Sequence, residues 1–257
     1  MNKLCAKLLF TGLFVFGVTT MSAAFGEVKF GGLTARQAFP DEKVGALVEA
    51  ASRGDLKQVD ALLQAGANIN AVGVQGISPL IWVLAAHNKQ GVEHLLKAGA
   101  DPNQNTMEKD ESAMSLAAGG NDPEILEMLL KRGGNPNLTG PRDQAVLQIA
   151  ALYSERRREN VRLLLKYGAD INGHTEFGQT AAHKAVSAGD FELVAYLLEQ
   201  GFNYKLQEFA KGVEIRQVPR NSEQYQWKQK VIEMLKARGV KFPAFIRGKG
   251  PPPPPPR

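Results

Sequence analysis

The sequence predicts an all-α solenoid of helix-turn-helix units joined by turn-rich fingers, and three observations carry that prediction. Glycines that follow a Leu-Leu pair recur at Gly66, Gly99, Gly133, Gly168 and Gly201, with spacings of 33, 34, 35 and 33 residues. A period in this range belongs to stacked units, none of which can bury its apolar face alone. Upstream of each glycine, apolar residues fall on one helical face: Val59, Leu62 and Leu63; Val92, Leu95 and Leu96; Ile125, Leu129 and Leu130; Val161, Leu164 and Leu165; Val194, Leu197 and Leu198. Paired alanines, at Ala50-Ala51, Ala117-Ala118 and Ala150-Ala151, mark where a shorter first helix packs closely on the second.

The elements follow in chain order. Met1 to Leu8 carries Lys3 and Lys7 without an acid, an apolar run extends from Leu8 to Met21, and Ser22-Ala23-Ala24 follows. A basic start, an apolar middle and small residues at its end make residues 1–24 a secretory signal peptide, cleaved after Ala24 with Gly26 as second choice. The run spans only about 21 Å as a helix against a bilayer core of about 30 Å, so a membrane anchor requires that the signal stay uncleaved. Cys5 precedes the run and cannot become a lipid-bearing residue after cleavage. Residues 25–44 form an N-terminal cap, in which Phe30, Leu33 and Phe39 cover the first unit.

Five units occupy residues 45–204. Each closing glycine sits where a helix stops in the left-handed conformation. Ser78-Pro79-Leu80 places a hydroxyl cap before a proline at the first helical position, the chemistry that opens a helix. Segments such as Ala71–Ile77 and Gly173–Gln179 connect one helix pair to the next. In the fourth unit, Tyr153–Asn160 lengthens the turn between helices. Residues 205–245 read as a divergent sixth unit: Leu206–Tyr225 is irregular, and Trp227–Gly239 is a lone second helix. Residues 246–257 are a tail with six consecutive prolines, Pro251 to Pro256, which adopts extended polyproline II. It serves as a stiff solvated tail or as a docking peptide for an aromatic groove.

These residues resemble the ankyrin repeat. The family's TPLH signature is divided between Ser78-Pro79-Leu80-Ile81 and Thr180-Ala181-Ala182-His183, and its GADxN ending recurs with Asn70, Asn103, Asn137 and Asn172. The resemblance covers Gly45 to Tyr204. It implies binding of other proteins through the fingers and the adjoining ends of the first helices. Transferred by position, the partner-binding residues are Val74, Gln75 and Ile77, then Lys109, then Arg142 and Gln144, then Glu176, Phe177 and Gln179, with Tyr153 at a helix end. Tyr153, Phe177 and Arg142 are the expected energetic centre, because aromatic and arginine side chains dominate interface energies. Arg156, Arg157 and Arg158 form the most distinctive charge cluster, read either as a solvated turn or as a contact for an acidic partner surface.

Catalysis finds no support in the sequence. The four histidines lack the i, i+4 spacing of a helical zinc site, and no nucleophile elbow or phosphate-binding glycine loop occurs. His183 occupies the signature position, where the family uses the ring for scaffold hydrogen bonds. Asp101 and Asp170 recur with the repeat and read as turn residues. No catalytic residue, metal or cofactor is expected, nor a small-molecule substrate. Loss of residues 1–24 leaves 29 basic and 26 acidic residues and no thiol, which excludes disulfides and a cysteine nucleophile. That balance is too small for a nucleic-acid binder. Asn137-Leu138-Thr139 matches a glycosylation sequon, yet Asn137 is the unit's own closing asparagine, and a bacterial periplasm is the expected compartment. The expected role is non-catalytic capture of a protein. It is either inhibition or masking of an enzyme, such as an immunity protein against a secreted toxin, or a periplasmic scaffold or stress-protection factor holding a periplasmic or membrane partner.

Overall fold

The protein is described from a computed structural model, which covers residues 29–30, 32–105, 111–152 and 158–244. The expected signal peptide and proline tail lie outside the described residues. A short antiparallel hairpin comes first, β1 (Lys29–Phe30) against β2 (Leu33–Thr34). Thr34 then caps the four-residue helix α1 (Ala35–Ala38), and Gln37 returns its side chain to the Thr34 backbone N–H. Phe39 is buried and meets Trp82 edge-on at 6.0 Å. Asp41 then caps α2 (Glu42–Arg53).

The stack is built from paired helices: α2 with α3 (Leu56–Gln64), α4 (Pro79–Ala85) with α5 (Lys89–Lys97), and α6 (Ala113–Ala118) with α7 (Pro123–Lys131). After the hairpin of β3 (Thr139–Gly140) and β4 (Gln144–Ala145) come α8 (Val146–Ala151) and α9 (Arg158–Lys166), then α10 (Ala181–Ala188) and α11 (Phe191–Glu199). The second helices α3, α5, α7, α9 and α11 all have 9 residues. They end alike: at Gly99, φ is +99°, the Gly99 N–H reaches Leu96 O, and the Ala100 N–H donates back to Leu95 O at 2.9 Å. Within the described residues α9 runs from Arg158 to Lys166, and most of the expected lengthened turn of the fourth unit lies outside them.

The sixth unit is more complete than its sequence suggests. Leu206–Ile215 is a helix, α12, that buries Phe209, Ala210 and Val213, and α13 (Glu223–Ala237) packs behind it. The expectation of an irregular Leu206–Tyr225 is therefore corrected. The apolar spacing of Leu206, Phe209, Ala210 and Val213 is helical, but Lys205 opens the helix without a side-chain cap, so no start signal marks it.

Two devices hold successive units in register. The closing asparagines form a ladder: Asn70 donates to Gly99 O and accepts from the Asp101 N–H, Asn103 donates to Gly133 O and accepts from the Asn135 N–H, and Asn137 donates to Gly168 O and accepts from the Asp170 N–H. Asn172 ends the series, accepting from the N–H groups of Asn203 and Tyr204. On the helical side, Asn160 is 1% exposed and donates toward Ala117 O, Ala118 O and Gly120 O at 3.2, 3.1 and 3.0 Å. Those carbonyls lie at and just beyond the C-terminal end of α6, so Asn160 caps a helix terminus in the neighbouring unit. Asn88 donates to Ser52 O in the same way.

Candidate partner-binding surface

The first, third and fourth fingers are short hairpins, and the first and third hold non-glycine residues in the left-handed region at their tips. In the first, the Gly73 N–H donates to Ile77 O at 2.8 Å, and Gln75 at the tip has φ +59°. In the third, Thr139 pairs with Ala145 and Gly140 with Gln144, while Arg142 and Asp143 have φ +62° and +56°. In the fourth, the Thr175 N–H donates to Gln179 O, the Gly178 N–H closes on Thr175 O, and His174 bridges to Thr180. Such conformations cost energy outside glycine and persist where the surroundings fix them. For the fourth finger, the buried Gln148 side chain of α8 donates to both legs, at Gly173 O (3.2 Å) and Gln179 O (2.9 Å).

The candidate residues divide sharply. Val74, Gln75, Arg142, Glu176 and Phe177 are exposed at fingertips, and Phe177 is 81% exposed. Gln144 and Gln179 are half-buried on returning legs. Ile77 is corrected: at 4% exposure it faces the core, because it directly precedes the buried Ser78 cap of α4. Lys109, Tyr153, Arg156 and Arg157 lie outside the described residues.

Arg158 is also corrected as a partner contact. Its guanidinium forks onto both carboxylate oxygens of Asp190, at 3.0 and 2.9 Å, and also binds Glu192. Asp190 is 1% exposed and caps α11 by accepting from the Leu193 N–H. Burial opposes the charge on Arg158, but its hydrogen bond to Asp190 and the two acidic charges prevail and raise its pKa. The side chain therefore ties the fourth unit to the fifth. Sequence reasoning missed Asn160, Gln148 and Asp190 as the groups that fix this surface. Gln148 carried one signal, a polar residue between Leu147 and Ile149, and Asp190 another, an aspartate directly before a helix.

Two of the histidines bond within the scaffold. His183 Nδ1 lies 3.3 Å from the Thr180 N and 2.8 Å from its hydroxyl, completing a capping box, and its ring meets Phe209 edge-on. Burial, together with the charge of Lys184, lowers its pKa. His94 lies 2.6 Å from Asp60 of the preceding unit. Among the described residues, no group of three His, Cys, Asp or Glu side chains is placed to hold a metal ion, and no helix is long and apolar enough to cross a membrane.

Comparison with known proteins agrees with this architecture. The family described as "Ankyrin repeats (3 copies)" matches residues 113–208, and "Ankyrin repeat" matches residues 46–74. The human mitochondrial disaggregase is 30% identical over 234 residues, covering 82% of this chain and 30% of that protein. An L-asparaginase of Dirofilaria immitis is 30% identical over 164 residues, covering 63% of this chain and 27% of that protein. The human ankyrin repeat and SOCS box protein 6 is 31% identical over 143 residues, covering 52% of this chain and 34% of that protein. The chain thus spans about a third or less of the length of these relatives. With period, caps, asparagine ladder and family match in one phase, the paired helices are ankyrin repeats, and the chain is an ankyrin-repeat protein.

Proposed function

We propose that the chain is a non-catalytic, periplasmic protein-binding module, exported by the signal over residues 1–24, that inhibits or masks a partner enzyme such as a secreted toxin. The observation that carries this reading is the fingertip row. Val74, Gln75, Arg142, Glu176 and Phe177 stand exposed on turns whose backbone is fixed before any partner arrives. A preorganised surface spares the ordering cost of binding, which favours tight one-to-one capture. The relatives support a binding role as well, since proteins named as an asparaginase, a disaggregase and a SOCS-box protein share this repeat rather than one named activity.

The test is a pull-down from periplasmic extract with the chain lacking residues 1–24, followed by titration of the captured protein. Stoichiometric capture of a hydrolase, loss of its activity on binding, and weaker capture by Phe177→Ala and Arg142→Ala support the reading. Retention of the chain in the cytoplasm with its leader intact overturns the compartment. Capture that leaves the partner enzyme fully active overturns the masking role.

A further inference from the structure

The finger row ends abruptly. Finger segments lead into α4, α6, α8 and α10, whereas Tyr204 is followed at once by Lys205, in the left-handed region at φ +40°, and then by α12. Among the described residues, the fourth finger is therefore left without a neighbouring finger on its C-terminal side. An open cleft of about 520 Å³ lies there, lined by His174, Thr175, Glu176, Phe177, Tyr204 and Lys205. Its chemistry is specific. The Tyr204 ring stacks on His174 at 4.2 Å, Lys205 Nζ lies 5.2 Å from the Tyr204 ring centre, and Phe177 projects beside them. Aromatic rings next to polar donors suit a segment that offers apolar rings and unsatisfied carbonyls, which is what a polyproline II helix presents.

The chain carries such a segment within reach. The main chain of Lys241 is bound at both N–H and carbonyl to the side chain of Gln207, each at 3.0 Å, and Gln207 is two residues from Lys205. Past Ala244, the last described residue, six residues precede Pro251 and can cover roughly 20 Å when extended. The six prolines add about 19 Å in polyproline II form. Arg247 and Lys249 lead into the run, opposite in charge to the exposed Glu176.

We infer that Pro251–Pro256 docks within its own chain in the cleft between the fourth finger and Tyr204–Lys205, taking the place of the missing fifth finger. The docked run covers Phe177, so a partner that engages Phe177 must first displace it. This inference needs no partner for its test, and its failure leaves the partner-binding reading intact.

The experiment is limited trypsin digestion of the full chain, following cleavage after Arg247 and Lys249 by mass spectrometry. Docking shields these sites, and cleavage reports the population of the undocked form, so Phe177→Ala is expected to speed it about fivefold. Replacing Pro251 to Pro256 with serine is expected to speed it to the same extent, and combining the two changes to add nothing. In a second arm, the synthetic peptide GKGPPPPPPR is titrated into a chain shortened by residues 250–257. Saturable binding that is lost with Phe177→Ala supports the inference. Equal cleavage rates in all forms, peptide binding indifferent to Phe177, or protection that grows with protein concentration and so reports docking onto a second copy, each overturns it.

Discussion

Phe177 and Arg158 look alike in the sequence, each a candidate anchor in the later units, yet the fold gives them opposite work. Phe177 is 81% exposed at a fingertip, whereas Arg158 is committed to Asp190 and Glu192. Phe177→Ala is therefore expected to leave the melting temperature unchanged and to weaken partner binding by about 2 kcal/mol, as measured by calorimetric titration. Arg158→Ala is expected to lower stability by about 1–3 kcal/mol in urea unfolding, because it strands the buried Asp190 carboxylate. The difference turns on what surrounds each side chain, which no local spacing reports. His183 makes a third residue-scale case. Its folded pKa is lowered by burial and by Lys184, so the unfolded chain takes up the proton first as the pH falls below about 6.5. Stability is expected to fall with pH through that window. Urea midpoints at pH 7.5 and 5.5 should differ less in His183→Gln than in the parent, and an equal difference refutes the assignment.

At the scale of elements, capping and close approach decide where helices lie. Ser78, Ser112 and Thr180 each cap a first helix by accepting the N–H three residues on, and Pro79 fills the first position of α4. The Ser78-Pro79 signal was legible in the sequence because caps act over three or four residues. The docking of α5 on α2 was not. Gly91 sits so close to α2 that a Cβ would stand 2.2 Å from Ala51 O and 2.9 Å from a Val83 methyl. Gly91→Ala would gain helix propensity in isolation, but here it is expected to destabilise by about 1–3 kcal/mol through overpacking, read from the urea midpoint. An unchanged or higher midpoint would contradict the close packing of α2 and α5. α12 shows the converse failure: its apolar spacing is helical, but without a capping residue the sequence gives no start.

For the whole molecule, stability is a sum of unit and interface contributions along one dimension, with the last unit closing the apolar end. Phe202, Leu198 and Phe209 are buried at that end, and Phe202 meets Phe209 at 5.0 Å. A chain ending after Tyr204 is expected to melt several degrees lower and to bind a hydrophobic dye, because it exposes the seam of the fifth unit. An unchanged melting curve would show that the sixth unit is dispensable. The sequence by itself determined the repeat, its period, the helix pairs and their caps, because each depends on periodicity and on hydrogen bonds within a few residues. Only the tertiary structure decided that Arg158 is a clamp, that Ile77 faces inward, that Asn160 seals another unit's helix, and that the finger row stops at Tyr204. The Arg158 and Asn160 outcomes depend on contacts between residues 32 and 42 positions apart, which become neighbours only once the units stack.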